Sequence, residues 1–88
     1  MRITFRKSFS RDLSKIQDQA ILARVGQIIS QIEAAEDLQQ ISNVKKITGS
    51  STLYRIRVGD YRIGVAVQKD ALEFVRCLHR REIYRYFP

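Results

Sequence analysis

The sequence predicts an α+β fold for residues 1–88, with two N-terminal helices packed on one face of a small, mostly antiparallel twisted sheet and a short C-terminal helical turn. A change of period predicts it. Up to about residue 35 the apolar residues recur at helical spacing, and beyond Leu38 they recur every second residue, as in strands with one buried face. Two-residue turn signals at Gly59-Asp60 and Lys69-Asp70 then cut the second half into segments that fold back on one another. At 88 residues the chain makes a single domain, near the lower limit of what one core supports without metals or disulfides.

The elements follow in order. Arg2-Ile-Thr-Phe-Arg6 alternates polar and apolar residues, with Ile3 and Phe5 on one face, and reads as a first strand. Ser8 or Ser10 can cap a first helix in which Phe9, Leu13 and Ile16 share a face and Asp12 lies favourably near the positive end. A second helix runs from about Asp18, its candidate cap, to Ala35, with Ile21, Leu22, Val25, Ile28, Ile29 and Ile32 forming its buried stripe. Gly26 lowers helix propensity within that stripe and suggests close packing, while Glu36 and Asp37 oppose the dipole and mark the helix end.

Val44-Lys-Lys-Ile47 is a short strand and residues 48–52 form a loop. In the next strand Tyr54, Ile56 and Val58 point one way and Arg55 and Arg57 the other. After the Gly59-Asp60 turn, Tyr61, Ile63, Val65 and Val67 line the core face, and Arg62, Gly64 and Ala66 the opposite one. Leu72–Leu78 is apolar on both faces apart from Glu73 and Arg76, as an interior strand is, and Cys77 reads as a core residue. Residues 81–87 form one helical turn or an extended tail, with Tyr86 and Phe87 as lids on the core.

Charge narrows the function. The net charge is +7, and its distribution is uneven: residues 1–44 hold six Lys/Arg against five Asp/Glu, residues 45–88 ten against four. A basic surface in the second half, rich in arginine, fits a polyanionic partner. One cysteine and one histidine allow no disulfide framework and no Cys/His metal cluster within a monomer, so no metal or small-molecule cofactor is expected. No apolar run is long enough to span a bilayer, and the expected setting is a reducing cytoplasm without membrane attachment.

Arg55 and Arg57 lie two apart on one strand, roughly 6.5–7 Å between Cα atoms, a spacing that suits neighbouring phosphates. Arg62 shares their face across the hairpin. Unless Asp60 or Glu73 neutralises it, such a cluster repels itself until an anion fills it. Arg80, Arg81 and Tyr84 in the tail add cations beside a stacking surface, a combination that recurs where single-stranded RNA is held. Paired-imidazole and two-metal nuclease chemistry lack their residues here. His79 is more often structural than a base in such a position.

These segments, Lys45-Lys-Ile-Thr-Gly49, Tyr54-Arg-Ile-Arg-Val-Gly-Asp-Tyr-Arg62 and His79-Arg-Arg-Glu-Ile-Tyr-Arg85, together resemble the RelE/ParE superfamily of type II toxin-antitoxin toxins over essentially the whole chain. The RelE branch implies a metal-free, ribosome-dependent endoribonuclease that cuts mRNA in the A site by 2′-hydroxyl attack. Its partners are translating ribosomes with their mRNA and a cognate acidic antitoxin. The resemblance gives Arg62, Arg81 and Tyr84 the catalytic roles. Arg55, Arg57, Lys45, Lys46 and Arg80 would hold RNA phosphates. Members of that branch often carry lysine at the strand pair; arginine cannot act as a base, so either His79 or Tyr84 takes that role or the site works by charge stabilisation alone. The ParE branch implies a non-enzymatic inhibitor of DNA gyrase instead, and a degenerate, inactive toxin is the third reading.

Overall fold

The computed structural model describes residues 1–88. Strand β1 (Arg2–Phe5) leads into helices α1 (Lys7–Ser14) and α2 (Gln19–Ala34) and a 3-10 turn at Leu38–Gln40. Strands β2 (Val44–Lys46), β3 (Leu53–Val58), β4 (Tyr61–Gln68) and β5 (Ala71–His79) follow, then the single turn α3 (Ile83–Tyr86). The strands form one sheet in the order β1-β5-β4-β3-β2, antiparallel except where β1 pairs with β5. This is the α+β architecture expected. No helix is long and apolar enough to cross a membrane.

Local chemistry explains the helices. The Asp18 carboxylate accepts from the Ala20 and Ile21 N–H groups, so α2 starts where its cap residue dictates. Ile21, Val25 and Ile32 are buried, and Leu22, Ile28 and Ile29 pack against the same core. Gly26 departs from expectation: a Cβ there would meet nothing within 4 Å, so the residue faces open space and serves no close approach. The first helix is also differently capped. Arg6 occupies the N-cap position without a side-chain cap bond, and neither Ser8 nor Ser10 fills that role.

The principal core joins Phe9, Val25 and Ile32 of the helices to Ile56, Ile63, Val65, Leu72 and Phe74 of the sheet. Phe5 is half exposed yet stacks on Phe9 and Phe74, at 5.8 and 5.2 Å between ring centroids. Both hairpin turns have two residues, with Gly59 at φ 58° and Lys69 at φ 55°. Gly59 takes that left-handed geometry without strain, and it fixes Arg57 opposite Arg62.

A bulge changes the parity of β5. Gly64 pairs with Arg76 but Val65 pairs with Phe74, so Val75 is an extra residue. Leu72, Phe74 and Cys77 therefore all face the principal core, while Arg76 and Leu78 turn to the other side. There a second, small core forms from Val75, Ile83 and Phe87, with Ile47, Leu53, Ala66 and Leu78 around it. The apolarity of β5 on both faces has this cause.

Beyond Phe74, β5 has no neighbour on its outer side, because β1 ends at Phe5. Helix α1 covers that edge. The Arg6 N–H donates to the Phe74 carbonyl at 2.9 Å and the Ser8 hydroxyl to the Val75 carbonyl at 2.6 Å. Asp12, 3% exposed, accepts from the Cys77 N–H at 3.0 Å and from Arg76 through Nε at 2.8 Å and Nη2 at 3.0 Å. Asp12 thus works as an edge cap and ion-pair partner rather than as a dipole charge.

Burial beside the Asp12 carboxylate pushes the Cys77 thiol up to about 12 from an ordinary 9.0, desolvation being the larger cause. Below pH 9 the thiol is protonated in both folded and unfolded chains. Above it the unfolded chain loses its proton first, so this contribution to stability is lost as pH rises from about 9 toward 12. Cys77 in the native protein is expected to resist a thiol-specific disulfide reagent at pH 8 and to react promptly once guanidinium unfolds the chain. Rapid labelling of the native state would show that the strand edge opens.

Candidate functional site

The face of the sheet opposite α1 and α2 carries the arginines. On β3, Arg55 and Arg57 alternate with Ile56 and Val58, which are wholly buried, so both guanidinium groups must project outward. Lys45 on β2 pairs with Arg55, and Arg62 on β4 pairs with Arg57. Strand pairing alone therefore packs four cations into a staggered patch across three neighbouring strands. A cleft of about 350 Å³ opens there, lined by Asn43, Val44, Lys45, Arg55, Arg57, Arg62 and Tyr84.

The fourth wall comes from the tail. Gly64 faces Arg55 across the β3–β4 ladder, and its missing side chain leaves room for the Phe87 ring; a Cβ at Gly64 would lie 2.7 Å from it. With Phe87 and Ile83 anchored, Tyr84 projects over Arg55, whose Cζ sits 4.4 Å from the ring centroid. Tyr84 remains 67% exposed, leaving ring surface free for a further stacking partner.

No acid neutralises the patch. Glu73 pairs with Arg6 at 2.8 Å, and Asp60 reaches only Arg80, at 4.0 Å. None of Lys45, Arg55, Arg57 and Arg62 makes a salt bridge, so neither Asp60 nor Glu73 offsets the cluster. Arg62 instead donates from Nη1 to the Gly59 and Tyr61 carbonyls, each at 2.9 Å, which tethers its head at the end of the cleft. Such a site holds anions by charge and by the planar forks of its guanidinium groups. Its lining contains no carboxylate and no imidazole.

Comparison with known proteins places this geometry. The family model for the ParE toxin of the type II toxin-antitoxin system parDE matches residues 3–84. The chain belongs to the RelE/ParE superfamily of toxins. It is RelE-like within that superfamily: over the full length of both chains it is 42% identical to Toxin RelE3 of Methanocaldococcus jannaschii. The toxin's fold superposes on a crystal structure of the RelB-RelE antitoxin-toxin complex from Methanococcus jannaschii with a TM-score of 0.82 at 42% identity, covering 96% of this chain and 98% of that one. An archaeal RelE-RelB complex from Pyrococcus horikoshii OT3 shares the fold with a TM-score of 0.73 at 24% identity, over 90% and 93% of the two chains.

Not every residue singled out in the toxin's sequence reaches the cleft. Lys45, Arg55, Arg57, Arg62 and Tyr84 do. Lys46, one residue along the strand, faces a separate groove with Tyr54 and Val67. Arg80 turns toward Asp60 at the hairpin end, and Arg81 lies outside the cleft lining. His79, the candidate base, stands outside the cleft lining. It stacks edge-on against Tyr61 at 5.6 Å, its Nδ1 accepts the Arg81 N–H at 3.2 Å, and it opens onto a different groove beside Arg11 and Lys15. Its ring stands on the Tyr61 side of the ladder because the two residues are register partners.

Two further residues belong to the lining. Asn43 and Val44 line the cleft, and Asn43 adopts φ 64°, a left-handed geometry that asparagine tolerates. Asparagine immediately before a strand was the available signal. Tyr86 is a correction: it is 47% exposed and stands over Arg76 at 5.6 Å rather than lidding the core, a task that Phe87 performs alone.

Proposed function

We propose that this toxin is a ribosome-dependent, metal-free mRNA endoribonuclease that cuts in the A site. The observation that carries this reading is the unneutralised cleft of Lys45, Arg55, Arg57 and Arg62 walled by an exposed Tyr84. Arg55, Arg57 and Lys45 hold consecutive phosphates, and Tyr84 stacks on a base. The 2′-hydroxyl, aligned with the scissile phosphorus, attacks it and the 5′-oxygen leaves, giving a 2′,3′-cyclic phosphate and a 5′-hydroxyl. Arg62 stabilises the charge that builds on the phosphoryl oxygens, which is electrostatic catalysis of the kind that needs no metal. Arg81, one turn from Tyr84 in the tail, meets the leaving-group side once RNA is bound. Lys45 and Tyr84 are the cleft groups able to exchange a proton, since arginine keeps its own at any ordinary pH.

The partner in the cell is a cognate antitoxin with an acidic segment that covers the cleft, in keeping with the antitoxin-bound state of the relatives from Methanococcus jannaschii and Pyrococcus horikoshii OT3. The test is cleavage of mRNA on programmed ribosomes with the A site open. Site-specific cuts ending in a cyclic phosphate are expected. Intact mRNA together with gyrase-dependent DNA breaks would establish the gyrase-inhibitor reading instead.

Phosphate contacts also predict a salt signature. Arg57→Ala is expected to reduce the slope of log K against log salt for single-stranded RNA by about 0.7, the value for one released counterion. An unchanged slope, measured by fluorescence anisotropy from low to moderate salt, would place Arg57 off the RNA path.

A further inference from the structure

The turn α3 has only four residues, too few to hold its own position through helical hydrogen bonds, yet it carries Tyr84 into the cleft. Its apolar anchors, Ile83 and Phe87, are 0% and 4% exposed and four residues apart. Two anchors define a line and leave rotation about it open. Tyr84 and Tyr86 flank that line, so a rotation lifting one ring moves the other.

The two rings rest on different supports. Tyr84 lies over Arg55, whose guanidinium makes no salt bridge and so has freedom to follow the ring. Tyr86 lies over Arg76, which is held through Nε and Nη2 by both oxygens of Asp12. Asp12, buried on α1, is in turn fixed by the Cys77 N–H. Of the two cations under α3, one is rigid and the other is not.

We propose that Arg76 is a positioning residue for the cleft: pinned by Asp12 and lying under Tyr86, it sets the rotation of α3 and thereby holds Tyr84 over Arg55. The inference rests on the reading of this cleft as the RNA site. Arg76 touches no substrate in this role and acts through Tyr86 and the tail. Because Tyr86 is half exposed, its contact with Arg76 adds little to stability, which separates positioning from folding.

The test uses the full chain, freed of antitoxin, and reads the Arg55 Nε–Hε resonance by NMR, with Tyr84→Leu supplying its position when no ring lies above. In Tyr86→Leu, which leaves the Asp12–Arg76 pair intact, the resonance is expected to shift toward the Tyr84→Leu value while Tm stays near wild type. Arg76→Met is expected to shift the resonance likewise, at a lower Tm, where it folds; Tyr86→Leu decides the matter where it does not. On programmed ribosomes Tyr86→Leu is expected to lower kcat about 10- to 100-fold with little change in KM, the effect of a displaced positioning group. The Tyr84→Leu/Tyr86→Leu double variant is expected to be no slower than Tyr84→Leu alone. An Arg55 resonance unmoved in Tyr86→Leu overturns the proposal. A shifted resonance in a protein whose wild type cuts no mRNA keeps the positioning and discards the nuclease reading.

Discussion

Replacing Arg62 with alanine is expected to slow A-site mRNA cleavage by about 10²- to 10³-fold, the usual loss when one preorganised donor to a developing oxyanion is removed. The reason lies in how the side chain is held. Its Nη1 already spends hydrogen bonds on the Gly59 and Tyr61 carbonyls, so the guanidinium stands ready at the cleft end with its other donors free. The same two bonds contribute about 0.5–1.5 kcal/mol each to the fold, so Tm should fall by no more than roughly 5–15 °C. Single-turnover cleavage on programmed ribosomes, read beside a thermal melt, separates the two effects. Arg62→Lys keeps the charge and loses the fork, and an intermediate rate is expected. Wild-type cleavage by Arg62→Ala would remove this residue from the chemistry.

The second large effect concerns folding. Asp12→Ala is expected to destabilise the protein by about 2–4 kcal/mol, since it orphans a buried Cys77 N–H and strips Arg76 of its carboxylate. That is a large fraction of a small domain's stability and corresponds to a fall in Tm of roughly 10–20 °C. The reverse truncation is worse. The Arg76 side chain is 22% exposed and can turn to water, whereas the Asp12 side chain is 2% exposed and cannot. Arg76→Met therefore leaves an uncompensated buried carboxylate, and a loss of about 3–5 kcal/mol is expected. The hydrogen bonds to Asp12 raise the Arg76 guanidinium further above its ordinary range, so Arg76 keeps its charge in this contact. Urea unfolding of both variants checks the order, and a larger loss for Asp12→Ala than for Arg76→Met would show that Asp12 acts mainly through the Cys77 N–H.

Elements with a strong local signal are legible residue by residue. Asp18 starts α2, the stripe from Ile21 to Ile32 faces the core, and Gly59-Asp60 sets the hairpin that pairs Arg57 with Arg62. In β5 that kind of reading fails. The bulge at Val75 has no residue signature, yet it sends Arg76 to the arginine face and returns Cys77 to the core. Asp12 misleads for a related reason: its position in the first helix suggests interaction with the helix dipole, while its partners lie 64 and 65 residues away.

Residue order settles whatever depends on the alternation of side chains along a strand and the length of a turn, because both are fixed by the local backbone. That is why Arg55, Arg57 and Arg62 share a face irrespective of what packs around them. The membership of the cleft needs the packed molecule. His79 is drawn to Tyr61 by the β4–β5 register. Tyr84 enters because Phe87 fits the space that Gly64 leaves open. Each of these outcomes turns on a contact between elements distant in sequence, and the free energy of such contacts resides in surfaces that come together only when the chain folds.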